Sequence, residues 1–193
     1  EAIKVVAEQL ENENIEVEIV HVGNKKIQGC TACNSCFKIR NERCIIDDEV
    51  NEWIQKMKEA DGIIFGSPVH FSDIGATMKS FLDRAIYVGS ANNGLYRHKV
   101  GAGVVAVRRA GGMQAFSQLN NYIAYSEMIM PTSNYWNIVF GLKPGEAVKD
   151  DEGIQTMRVL GKNMAWLMKL VELGDGKIEK PEPERKAFTN LVK

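Results

Sequence analysis

The sequence lacks both an excess of charge and any long apolar run. Its 193 residues carry 24 Lys and Arg against 25 Asp and Glu, a formal net charge of −1. Because nucleic-acid-binding domains usually present a strongly basic surface, we expect no DNA or RNA partner. No stretch approaches the ~20 apolar residues of a membrane-spanning helix, so we expect no membrane association. The charged start, Glu1 to Lys4, is unlike a signal peptide. We therefore expect a cytoplasmic protein.

Cysteine is scarce and confined to one short stretch. All four cysteines lie between Cys30 and Cys44, in the spacing C-x2-C-x2-C-x7-C. A secreted disulfide framework would instead spread its cysteines along a shorter chain. The clustering therefore indicates a metal or redox site.

Helical and strand-like patterns alternate along the chain, without an internal repeat or a low-complexity tract. Apolar residues at helical spacing predict five helices, and alternating or short apolar runs predict four strands. The helices are expected around Ile3–Leu10, Val50–Met57, Met78–Ala85, Phe116–Ile123 and Ile154–Val171, and the strands at Ile15–Val20, Ile63–Phe65, Val100–Val107 and Tyr135–Val139. Loops are expected at Ser67–Asp73 and Arg108–Met113.

This alternation predicts an α/β fold with a doubly wound, mostly parallel sheet. The sequence begins without Met and already in helical rhythm, so we expect a further strand before Glu1. That strand would complete the five of a flavodoxin-like sheet. We expect one domain over residues 1–173 and a charged, Pro-containing tail over 174–193. Ligands of such sheets bind beyond the carboxyl ends of the strands, which here are the loops after Phe65 and Val107.

Three stretches carry a resemblance to a known family. The stretch GSPVHFSDIGATMKSFLDR, from Gly66 to Arg84, resembles the flavin loop and following helix of NAD(P)H-dependent FMN reductases and multimeric flavodoxin-like proteins. The stretch GCTACNSCFKIRNERCIIDD resembles the cysteine motif of the iron–sulfur flavoproteins, a branch of the same superfamily. The similarity extends to the last helix, LGKNMAWLMK.

The resemblance implies an FMN site built from two loops. Pro68 fixes the backbone of the first loop, whose main chain and aromatic side chains suit an isoalloxazine ring. In the second loop, a guanidinium near flavin N1/O2 would make the flavin easier to reduce. The implied cofactor-binding residues are Ser67, Pro68, Val69, His70, Phe71, Arg108, Arg109, Gly111 and Gly112. A plain strand–helix connection and a solvated arginine pair are the alternatives.

The phosphate-binding loop of this family lies between the first strand and the first helix. We expect it to precede Glu1, so none of its residues is named, and no side chain is assigned as catalytic because the flavin carries the chemistry. If that loop were truly absent, the chain would be a cofactor-free scaffold.

The cysteines leave three interpretations open. Cys30, Cys33, Cys36 and Cys44 could ligate a [4Fe–4S] cluster, because three thiolates three residues apart can surround a cube while the fourth arrives from the returning chain. They could instead be ordinary or oxidised thiols. A zinc site usually pairs two separated C-x2-C knuckles, which are lacking here.

The resemblance implies an FMN-dependent oxidoreductase that passes electrons from NADH or NADPH to a small acceptor such as a quinone or flavin. The alternative is an iron–sulfur flavoprotein that carries electrons to or from a redox protein. Exposed aromatic residues such as Tyr87 and Trp136 also lead us to expect a homodimer or homotetramer.

Overall fold

Helices and strands alternate in a computed structural model that describes residues 1–184 and 186–191. The helices are α1 (Ala2–Glu11), α2 (Ser35–Ile39), α3 (Glu49–Glu59), α4 (Ala76–Ala91), α5 (Gly112–Tyr125) and α6 (Asp151–Gly174). The strands are β1 (Gly62–His70), β2 (Asp73–Ile74), β3 (Val100–Val107) and β4 (Ile138–Phe140). All five predicted helices are present, and α2 is one additional turn inside the cysteine loop.

The strands form one sheet in the order β2-β1-β3-β4. β3 pairs in parallel with β1 on one side and with β4 on the other, and β2 is antiparallel to β1. The apolar run over Val100–Val107 is therefore the central parallel strand that its composition predicts.

Helices cover both faces of this sheet, which confirms the doubly wound α/β fold. One core packs α3, α4 and α5 against residues such as Phe65 and Val105. The other packs α1 and α6 against residues such as Val104 and Val139. A Cβ at Gly161 would lie 2.6 Å from Gln9 Cβ, so glycine permits the close approach of α6 to α1.

Three strands differ from the sequence prediction. The predicted strand at Ile15–Val20 is wrong, since the segment has no strand pairing among the described residues. Ile15 and Val17 nonetheless pack against the α1–α6 core. β1 continues to His70, through most of the predicted loop, because it pairs with β3 up to Pro68 and with β2 at Val69 and His70. β4 begins three residues later than predicted, at Ile138.

Two further expectations concern the ends of the chain. The strand expected before Glu1 stays a prediction. Beyond Gly174 the described residues have no helix or strand. The division into a domain over 1–173 and a tail over 174–193 also remains a proposal, and residues 185, 192 and 193 of that tail lie outside the described part. No helix within that part is long and apolar enough to span a membrane.

Candidate functional site

The first predicted loop is a tight hairpin at the carboxyl end of β1. Phe71 and Ser72 both have positive φ, +48° and +64°, and form its two-residue turn between β1 and β2. The buried Ser67 hydroxyl accepts a hydrogen bond from the Gly75 N–H at 2.9 Å and donates to the Pro68 carbonyl at 2.9 Å. Ser67 therefore fastens the hairpin to the start of α4, while the Phe71 side chain is fully exposed.

The second predicted loop touches this hairpin directly. Gly111 has φ +88° and precedes α5. A Cβ at Gly111 would lie 2.7 Å from Ser72 Cα and 3.0 Å from Val69 Cγ1, which only glycine avoids. Arg108 and Arg109 are exposed beside this contact. The structure therefore brings both predicted loops together at one carboxyl edge of the parallel sheet.

The edge formed by these loops suits a planar, anionic aromatic group. It offers the exposed Phe71 ring and the positive charges of Arg108 and Arg109. α5 begins there without a side-chain cap, so its first backbone N–H groups have no acceptor from a capping side chain. His70 is exposed at the hairpin and Gly112 is buried in the first turn of α5. The residues present therefore fit the FMN that the sequence resemblance implies.

The four cysteines line one small cavity that is partly open to solvent. Ala32 and Asn34 adopt positive φ, +52° and +58°, and these turns curl the loop around the cavity. The short helix α2 follows and carries Cys36, which is buried. Cys30 and Cys33 are exposed and Cys44 is half-buried.

The cysteines differ in their ease of deprotonation. Hydrogen bonds from the side chain and backbone of Ser35 hold the pKa of the Cys33 thiol below its ordinary value. Burial, reinforced by the neighbouring Cys30 and Cys44, raises the pKa of Cys36. Cys33 is therefore the more readily available thiolate of these two.

The cavity does not have the geometry of a single-ion site. Within residues 1–184 and 186–191, no three His, Cys, Asp or Glu side chains form a group that could hold one metal ion. The thiols border a common space instead. Four thiolates are a donor set for both structural zinc and a [4Fe–4S] cluster, so in number and chemistry these residues fit either group.

A buried arginine from α4 holds both ends of the cysteine loop. The side chain of Arg84 is 0% exposed. It donates to both carboxylate oxygens of Asp48 at 2.6 and 2.7 Å, to the Ile46 carbonyl at 2.9 Å and to the Gln28 carbonyl at 3.3 Å. Hydrogen bonding from Arg84 keeps the pKa of Asp48 below its ordinary value. Asp48 also caps α3 by accepting from the Val50 N–H at 3.2 Å.

Two further side chains fix the cysteine loop. Asn51 accepts from the Cys44 N–H at 2.7 Å and donates to the Cys44 carbonyl at 3.0 Å. The Tyr87 hydroxyl donates to Asn34 Oδ1 at 2.6 Å, and its ring meets Phe37 edge-on at 5.0 Å. Arg84 and Tyr87 lie three residues apart on α4, so one helix face supports the loop.

Sequence comparisons give consistent findings. A family model described as NADPH-dependent FMN reductase matches residues 1–143. An iron–sulfur flavoprotein of Methanocaldococcus jannaschii is 37% identical over 181 residues, which cover 89% of each chain. An iron–sulfur flavoprotein of Archaeoglobus fulgidus is 31% identical over 157 residues, covering 81% of this chain and 68% of the relative.

Comparison with solved structures identifies the same fold. A flavodoxin from the domain Archaea superposes with a TM-score of 0.56 at 17% identity, over 87% of this chain and 88% of the flavodoxin. A flavone reductase gives a TM-score of 0.64 at 17% identity, over 89% of this chain and 58% of that protein. At this level of identity the likeness concerns architecture alone.

Proposed function

The chain belongs to the NADPH-dependent FMN reductase family, and from that premise we propose that it is an FMN-dependent oxidoreductase that takes electrons from NADH or NADPH. The acceptor is a small molecule such as a quinone or flavin. The single observation that carries this proposal is the contact between the two strand-end loops, where Gly111 lies against Val69 and Ser72.

The chain's own residues bind and orient the cofactor in this proposal. FMN supplies the redox chemistry, because its ring accepts two electrons and passes them on singly or as a pair. The backbone from Pro68 to Phe71 would hydrogen-bond the flavin, and Gly111 and Gly112 would let the second loop approach it closely. Arg108 and Arg109 offset the negative charge of the bound cofactor.

Flavin release and pyridine-nucleotide oxidation test this function. Full-length protein purified in the presence of FMN should release FMN on denaturation and oxidise NADH or NADPH with a quinone acceptor. Replacing both arginines of the second loop with Gln should weaken FMN binding, most clearly at low ionic strength where exposed charges are least screened. Protein that neither retains nor rebinds FMN would contradict the proposal.

A second candidate function is electron transfer through a [4Fe–4S] cluster on the cysteine loop. It is favoured by four thiols around one cavity and by relatives whose names describe them as iron–sulfur flavoproteins. The cluster would be held by Cys30, Cys33, Cys36 and Cys44. It would transfer single electrons to or from a redox protein. The flavin and cysteine sites are linked by α4, where Ala76 and Arg84 lie about 12 Å apart along the helix axis.

Iron and sulfide analysis of anaerobically prepared protein tests the cluster. We expect about four iron atoms per chain, lost in Cys33→Ala together with electron transfer to a one-electron protein partner. Thr31→Ser, which alters the same cavity but keeps the hydroxyl and all four thiols, is the matched control. Iron-free wild type with robust NADH or NADPH oxidation would contradict the cluster and leave the reductase function standing.

We also propose that the chain forms a homodimer or homotetramer. α6 presents an apolar stripe to solvent, formed by Trp166, Leu170 and Leu173, which are 65%, 43% and 63% exposed. These residues recur at helical spacing on the side of α6 that faces away from its core. A second copy of the chain would cover this surface.

A further inference from the structure

The guanidinium of Arg84 is a fully buried cation that lines the four-cysteine cavity. Its two terminal nitrogens are occupied by Asp48 and by backbone carbonyls. Its Nε–H, in contrast, is buried without a hydrogen-bond acceptor among the described residues. A buried donor without an acceptor is costly, so its retention beside the cavity indicates an acceptor at that cavity.

The position of Arg84 in the fold ties it to the whole cysteine loop. Gln28 lies two residues before Cys30, and Ile46 lies two residues after Cys44. By donating hydrogen bonds to both carbonyls, the Arg84 side chain connects the segment that enters the cysteine loop to the segment that leaves it. The Cys44 side chain also lies next to the guanidinium.

We propose that Arg84 is a positioning residue of the four-cysteine site, which closes the base of the loop and donates its Nε–H to sulfur at the cavity. The inference rests on the proposed cluster. The acceptor is the sulfur of a ligating cysteine or the inorganic sulfide of an iron–sulfur cluster.

Such a donor has two measurable effects. Hydrogen bonds to sulfur and a nearby positive charge stabilise the more negative, reduced state of a cluster, so they raise its reduction potential. A closed loop base holds the thiolates together and slows the loss of iron. A purely structural Arg84–Asp48 ion pair would stabilise the fold but would leave the potential of a bound cluster unchanged.

The experiment compares anaerobically reconstituted wild type with Arg84→Lys. The variant keeps a cation for Asp48 but lacks the Nε–H and the planar fork of donors. We expect it to retain the cluster with a reduction equilibrium constant at least tenfold lower, a fall of about 59 mV in midpoint potential for a one-electron couple. We also expect iron to be lost to a chelator at least tenfold faster.

Arg97→Lys is the matched control. The Arg97 Nε–H donates to Glu127 at 2.6 Å, and Arg97 is not among the residues that line the cysteine cavity. This variant should leave both the potential and the rate of iron loss at wild-type values. Circular dichroism and urea unfolding of the metal-free proteins report folding separately from the cluster.

Asp48→Asn changes the same ion pair in the opposite direction, and urea unfolding establishes that each variant is folded before its midpoint potential is compared. Removing the carboxylate leaves the Arg84 charge uncompensated, so we expect the midpoint potential to rise, opposite to its change in Arg84→Lys. If wild type holds a cluster and both Arg84→Lys and Asp48→Asn have the wild-type midpoint potential, the proposed role of Arg84 is overturned but the cluster is not. Wild type that binds no iron would overturn the proposed cluster as well.

Discussion

Gly111→Ala should damage folding and flavin binding together, because the added methyl group falls at the contact between the two candidate flavin loops. Two costs combine at this position. The backbone has φ +88°, where a side chain costs about 1–2 kcal/mol. The new Cβ would also lie 2.7 Å from Ser72 Cα, so backbone must shift, at a further cost of about 1–3 kcal/mol. The expected loss is about 2–5 kcal/mol of unfolding free energy.

Gly145→Ala separates these two costs. Gly145 has φ +83°, close to that of Gly111, but a Cβ there would meet no heavy atom within 4 Å. This control should lose about 1–2 kcal/mol from backbone strain alone. Its affinity for FMN should stay at the wild-type value, because the hairpin formed by Phe71 and Ser72 is undisturbed.

Urea unfolding of the FMN-free proteins and fluorescence titration with FMN measure the two effects. The FMN-free form is used because a ligand that binds only the folded state would mask the loss of stability. We expect FMN to bind Gly111→Ala at least tenfold more weakly, equivalent to about 1.4 kcal/mol. Equal unfolding free energies for Gly111→Ala and Gly145→Ala would refute the close contact between the two loops. An unchanged FMN affinity in Gly111→Ala would refute the assignment of this contact to the flavin site.

Helices and the central strand were predictable because their signals are local. The acidic residues before α3 predict a helix N-terminus, and Asp48 does cap α3. The run of small and β-branched residues in β3 predicts a strand buried on both faces, and it is central in the sheet. Each signal is contained in fewer than about a dozen neighbouring residues, so no knowledge of the fold was needed to interpret it.

Strand boundaries depend on pairing, which a local pattern does not contain. Ile15–Val20 alternates like a strand, but alternation becomes a strand only where another backbone supplies hydrogen bonds. Gly66 and Pro68 indicate the end of a strand by composition, whereas pairing with β3 and then with β2 keeps β1 extended to His70. The helical turn of α2 is too short for periodicity to reveal it.

The candidate site was predictable to the extent that its residues are close in sequence. The spacing of the cysteines indicated a shared site, and the structure places all four around one cavity. The residues that support the loop were missed, since Arg84 and Asp48 are 36 positions apart and Tyr87 and Asn34 are 53 apart. The available signal was that the charged pair Asp47-Asp48 follows the cysteines and the charged pair Asp83-Arg84 ends the flavin helix motif. Whether the candidate flavin residues contact FMN stays a prediction.

Two further perturbations test the buried ion pair and the proposed oligomer. Asp48→Asn should lose about 3–5 kcal/mol of stability at neutral pH by leaving buried Arg84 uncompensated, whereas Glu13→Gln in an exposed pair should change little. Because the pKa of Asp48 is lowered from 3.8, the contribution of its carboxylate is complete above that pH and disappears as the pH falls below it. Urea unfolding should therefore show the difference between wild type and Asp48→Asn shrinking below pH 3.8, and a constant difference would contradict the ion-pair interpretation. Trp166→Glu places a charge in the apolar stripe of α6, where burial against a second copy would be costly, so sedimentation velocity should show dissociation toward monomers. Gln155→Glu adds the same charge on the exposed side of α6 three turns away and should leave the sedimentation coefficient unchanged, whereas an unaltered Trp166→Glu would place any subunit contact elsewhere.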